Sequence, residues 1–120
     1  MLKKIAKIVG IVLIVVGLLG FVPGITYRHN LLGLFRVNTL HNLVHLASGV
    51  IAYLASRSSM RASQLFFQTF GIVYAMIGLM GFGYGNRDIL GVVANNMADT
   101  WLHLIIGVVF LYCRFLYKSK

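Results

Sequence analysis

Apolar positions run from Ile5 to Val22, from Leu40 to Ala55, from Leu65 to Tyr84 and from Trp101 to Tyr117, separated by clusters of charge, glycine, asparagine and serine. Each run approaches the ~20 residues with which an α-helix crosses ~30 Å of hydrocarbon, so the pattern predicts four transmembrane helices. The second run reaches that length only when its polar lead-in of Asn38, Thr39, His41 and Asn42 is counted. Polar groups are then placed at membrane depth, where they require partners. With that lead-in the spans cover about 5–22, 38–56, 64–84 and 97–117. The first, with Lys3, Lys4 and Lys7 ahead of it, has the flanks of a secretory signal. No small-residue cleavage site follows, and the segment has a twin in the third span, so it is expected to remain as a helix.

That twin is a sequence repeat. Gly10 to Gly24 (GIVLIVVGLLGFVPG) and Gly71 to Gly85 (GIVYAMIGLMGFGYG) agree at eight of fifteen positions, with Gly10, Gly17, Gly20, Phe21 and Gly24 on Gly71, Gly78, Gly81, Phe82 and Gly85. Apolar composition alone does not keep glycines and phenylalanines in register. After a loop three residues longer in the first copy, Asn38, His45, Gly49 and Val50 align with Asn96, His103, Gly107 and Val108. The expected fold is therefore all-α: an integral membrane four-helix bundle of two tandem hairpins, residues 1–58 and 61–120, forming a single transmembrane domain. Two spans per copy give both copies the same orientation, related by a pseudo-two-fold axis along the membrane normal. The second and fourth helices run parallel, and His45 and His103 lie at equal depth, each about 10 Å along the axis from its asparagine.

Composition supports the membrane and removes other classes. Hydrophobic residues make up 59% of the chain and charged ones 11%, far below the quarter or so usual in soluble domains. Eleven Lys and Arg against Asp88 and Asp99 give a net charge of +9, a balance that also occurs in nucleic-acid binders. Here the cations sit at the ends of apolar runs and form no stripe, so no nucleic-acid partner is expected. Lys3, Lys4, Lys7, Arg57, Arg61, Arg114, Lys118 and Lys120 fall on one side of the alternating spans, and Arg28, Arg36 and Arg87 on the other. The positive-inside rule places the first side, with both termini, in the cytoplasm. Trp101 near one interface and Tyr112 and Tyr117 near the other suit an aromatic belt. Cys113 stands alone, which excludes an intramolecular disulfide. Its expected role is that of a small apolar filler.

Glycine spacing marks close helix contacts. Gly20 and Gly24, like Gly81 and Gly85, share a face, which Gly17 and Gly78 extend. With Gly49 and Gly107 they are read as close-packing positions inside the bundle, the alternative being a homo-oligomer contact. Gly83 and Gly85 also suit the end of the third helix. Pro23 with Gly24 marks the end of the first helix, and Gln64 and Gln68 are expected to snorkel.

Any chemistry lies on the second and fourth helices. His41 and His45 are four apart, as are Asp99 and His103, and the repeat sets His41 opposite Asp99 and His45 opposite His103. With Asn38 these form a polar cluster in which three imidazoles and a carboxylate are able to converge. The favoured reading is structural: Asn38 and Asn96 cap helices, Asp99 lies in a first turn, and His45 and His103 bond to each other or to carbonyls. Three alternatives use the same residues: a transition metal on His41, His45, Asp99 and His103, haem on His45 and His103, and a small proton-linked transporter or pH-responsive switch. No cofactor is predicted, although a metal ion remains an option. The chain has no phosphate-cradling glycine loop and no nucleophile elbow, and it is not expected to be an enzyme.

RVNTLHNLVHLASGV in the first copy and GVVANNMADTWLHLIIGV in the second resemble the paired signatures of a bacterial membrane family, domain of unknown function 4383. The likeness spans most of the chain. Its members look like four-helix proteins in which Asn, His and Gly recur at this spacing, with an acid where Asp99 stands. Asn38, His45, Gly49, Asp99, His103 and Gly107 carry the motif here. The resemblance implies a bacterial cytoplasmic membrane but no activity. The resulting expectation is a small accessory protein whose histidine and aspartate cluster ties two hairpins together, with lipid as its main partner.

Overall fold

Asn38 starts a helix because its side-chain oxygen accepts the backbone N–H of His41 at 2.8 Å, and the apolar residues that follow have one helical face to bury. In the computed structural model, which describes residues 1–115, that helix is one of four. They are α1 (Leu2–Leu19), α2 (Thr39–Ser58), α3 (Met60–Tyr84) and α4 (Met97–Phe115). Tyr117, Lys118, Lys120 and the expected end of the fourth span at 117 lie outside the described residues. Helix α1 stops at Leu19, before Pro23 and Gly24. Ser59 separates α2 from α3 and caps the latter, accepting the N–H of Ala62 at 3.0 Å.

The loop after α1 departs from the purely helical expectation. It forms a small antiparallel sheet of three two-residue strands, β1 (Thr26–Tyr27), β2 (Asn30–Leu31) and β3 (Phe35–Arg36), in the order β1-β2-β3. Strands this short carry no readable alternation.

Helices α3 and α4 are each long and apolar enough to cross a membrane. Helix α1 is as apolar as these beyond its first turns but carries Lys3, Lys4 and Lys7 within its 18 residues, and α2 carries two histidines, an asparagine and Arg57. The expectation of four equivalent spans therefore rests, for α1 and α2, on which faces they expose.

Glycines join the helices of each hairpin. A Cβ at Gly10 would fall 2.8 Å from the carbonyl oxygen of Gly49 and from the N of Tyr53, and one at Gly17 would fall 2.7 Å from Leu46. In the second hairpin Gly71 lies against Leu111 and Gly78 against Leu104. Gly20 abuts the side chain of Asn42, Gly81 that of Thr100, and Gly107 the backbone of Ala75. These glycines face the neighbouring helix of their own hairpin. Gly24 and Gly85 do not act as close-packing positions: nothing lies within 4 Å of an added Cβ, and their φ angles of +94° and +63° make them turn residues.

At one end, Leu2, Ala6, Ala52, Phe66, Phe67, Phe110 and Cys113 form an apolar core. Cys113 is buried there, as expected of a filler. Gln68 does not snorkel freely; it accepts Arg114 Nε at 3.0 Å. Toward the other end His41, His45, Asn95, Asp99, Thr100 and His103 are buried alongside Leu31, Val37, Ile89 and Ala94.

Candidate functional site

Two asparagine caps set the position of the polar layer. Asn38 caps α2 and donates to the carbonyl of Val92 at 2.9 Å; Asn96 caps α4 and donates to the carbonyl of Leu34, also at 2.9 Å. Each hairpin thus holds the loop of the other. The two loops turn in the same way, with Leu32 and Gly33 at φ of 56° and 72° and Leu90 and Gly91 at 54° and 72°.

One turn into α2, His41 meets that loop directly. Its Nδ1–H donates to the carbonyl of Ala94 at 2.9 Å, which leaves Nε2 with the lone pair. His45 follows one turn deeper and His103 comes across from α4. Ring centroids are 4.6 Å apart for His41 and His45, 5.2 Å for His41 and His103, and 5.8 Å for His45 and His103. All three rings are at most 4% exposed. One nitrogen from each lies within 4.8 Å of the others.

The expected bond between His45 and His103, or from either to a carbonyl, is not formed. Both nitrogens of His45, Nε2 of His41 and Nδ1 of His103 have no hydrogen-bond partner among the described residues. A buried polar group left in this state costs about 1–3 kcal/mol. Asn42 Oδ1, nearer the cap, is similarly unpartnered.

Asp99 does not join the imidazoles. Its Oδ2 accepts the N–H of Asn96 at 3.1 Å while Asn96 Oδ1 accepts the N–H of Asp99 at 2.9 Å, a reciprocal capping box. The carboxylate completes the start of α4, and Asp99 shares with His41 and His45 only the wall of an apolar cavity of about 230 Å³, which Leu31, Phe35 and Leu102 also line. Haem between His45 and His103 does not fit. The ring of His41 stands within 5.2 Å of both, in the space a macrocycle would need.

The sequence reading missed the floor of this layer. Tyr74 on α3 is 2% exposed, lies 5.7 Å from the ring of His103 and donates to Ser48 Oγ at 3.1 Å. Its spacing from Gly71 and Gly78, three and four residues, places it on the glycine face and was the available signal. Asn95, fully buried, was also missed; it donates to the Gly85 carbonyl at 2.9 Å and accepts Thr100 Oγ1 at 3.3 Å.

Fold and site define a small helical protein of two glycine-packed hairpins with three imidazoles buried where the hairpins meet. The chain belongs to the family described as Domain of unknown function (DUF4383), whose model matches residues 3–116. Neither the curated proteins nor the solved structures contain a match.

Proposed function

We propose that this protein is a multi-pass component of a bacterial cytoplasmic membrane, two tandem hairpins of like orientation joined by a polar histidine layer, with an accessory, non-enzymatic role. The observation that carries the reading is its inverted polarity. Ile8, Leu54, Leu79 and Val108, one on each helix, are 56–62% exposed, whereas Ser48, Thr100 and His103 are at most 3% exposed. In water this arrangement exposes apolar faces on every helix; in lipid it satisfies both solvents. Helices α1 and α2 join the span set on this ground.

Charge supports one orientation. Lys3, Lys4 and Lys7 start α1, Arg57 ends α2, Arg61 starts α3 and Arg114 ends α4, all at the apolar-core end and assigned to the cytoplasm. The reciprocal contacts of Asn38 with Val92 and Asn96 with Leu34 support duplication about a two-fold axis, since each residue and its target exchange roles between hairpins.

Cysteine labelling in intact cells tests this reading. In a Cys113→Ser background, a membrane-impermeant maleimide should modify His29→Cys directly and Ser58→Cys only after permeabilisation. Labelling of both from outside, or of Ser58→Cys alone, rejects the topology.

A further inference from the structure

We infer that His41, His45 and His103 bind a single Zn²⁺-type transition-metal ion. The inference rests on the bundle reading above, because it requires α2 and α4 to bring their histidines to the same depth.

Three observations meet at this point. Donor nitrogens of the three residues already lie within 4.8 Å of one another. Ligands on a tetrahedral Zn²⁺ at ~2.0–2.1 Å are separated by roughly 3.3 Å, so binding requires the rings to close by about 1.5 Å. Rotation of side chains on opposite helices supplies such a movement without displacing a helix.

The second observation is the state of the nitrogens. Four imidazole nitrogens are buried without partners among the described residues, and none bonds to another ring. A purely structural histidine layer would pair them. His41 instead has its Nδ1–H on the Ala94 carbonyl, which directs the Nε2 lone pair inward. A histidine that ligates a metal ordinarily donates its other ring N–H to a carbonyl or carboxylate in this way.

The third is the chemistry of the surroundings. Neutral imidazoles suit zinc and its neighbours, whereas Mg²⁺ and Ca²⁺ take oxygen ligands. The adjoining cavity, which His41, His45 and Asp99 also line, exposes only apolar surface. Its apolar surface keeps bulk water from the ion, while the Asp99 carboxylate stays bonded in the cap of α4.

The test uses the full chain in detergent, stripped with chelator, loaded with Zn²⁺ or with Co²⁺ as a coloured substitute, and desalted. Bound metal is counted by mass spectrometry, and the visible Co²⁺ bands report the coordination geometry. The wild type should retain about one equivalent per chain. His45→Ala and His103→Ala should retain at least tenfold less while eluting as the same monodisperse species, with His103→Gln as the gentler substitution if alanine prevents folding. His29→Ala, which alters the fourth histidine of the chain, on an exposed loop, should bind like the wild type. Retention below about a tenth of an equivalent by folded wild type overturns the site. Equal binding by wild type and the cluster variants overturns it as well, since the metal then lies elsewhere. The labelling of His29→Cys and Ser58→Cys decides the bundle separately, so a metal-free protein with the expected labelling loses only the metal site.

Discussion

A single methyl group divides the glycines of this protein into two kinds. At Gly107 it would run into the backbone of Ala75, which has no flexible end to move aside, whereas at Gly83, within α3, it would meet nothing within 4 Å. Gly107→Ala should therefore destabilise the protein by about 1–3 kcal/mol, the usual result of overpacking. Gly83→Ala should be neutral or stabilise by up to ~1 kcal/mol, because alanine is the better helix former. Unfolding by denaturing detergent in mixed micelles measures both, and equal effects would refute the division. Sequence spacing identified most of the packing glycines but included Gly24 and Gly85, since an i, i+4 pair looks the same whether its second member faces a helix or ends one. Asp99 was legible in its favoured place, the first turn of α4 after the Asn96 cap, and only its alternative place among the imidazoles was not taken up. The demand of Asn96, three residues earlier, drew the carboxylate into that cap.

Asparagine caps are the part of the elements that the sequence announced most clearly, and they do more than start helices. Asn38 and Asn96 each accept a first-turn N–H, and each donates to a carbonyl of the opposite hairpin. Asn38→Ala and Asn96→Ala should each cost about 1–2 kcal/mol for the cap alone. Asn38→Ser retains a capping oxygen and loses the Val92 contact, so its stability should fall between wild type and alanine in the same unfolding assay. The ion pair of Arg36 with Asp88, also between hairpins, is a useful contrast at 3.0 Å. Arg36 is 46% exposed there, and Asp88→Asn should change stability by less than about 1 kcal/mol. Helix limits were otherwise legible from the apolar runs to within a few residues, as α4 beginning at Met97 illustrates. The sheet at Thr26–Arg36 was not, because its geometry comes from positive-φ turns at Arg28, His29, Leu32 and Gly33, most of which are not glycine.

For the whole molecule, the division into two hairpins raises the question of what holds them together. Glycine contacts lie within each hairpin, and in the membrane setting proposed above lipid offers no hydrophobic drive for one hairpin to associate with another. The seam then depends on its polar layer and on the apolar core beneath it, where Phe66, Phe67 and Phe110 cluster with Leu2, Ala6 and Ala52. Matching glycines and Asn-x₆-His spacings made the two-hairpin plan legible, whereas the seam was not, because Tyr74 has no polar counterpart at the repeat position occupied by Leu13. Tyr74 on α3 and Ser48 on α2 form a buried side-chain hydrogen bond across that seam. A cycle of Tyr74→Phe, Ser48→Ala and the double variant isolates the bond. Coupling in membrane proteins averages about 0.6 kcal/mol and reaches about 1.7 kcal/mol, because polar groups find other partners once helices separate. This pair should fall in the upper half of that range, since the neighbouring imidazoles would leave either orphaned oxygen in a crowded layer. Coupling indistinguishable from zero would mean that this bond does not hold the seam, which would then rest on the apolar core and on the contacts of Asn38, Asn96, His41 and Arg36 with the opposite hairpin.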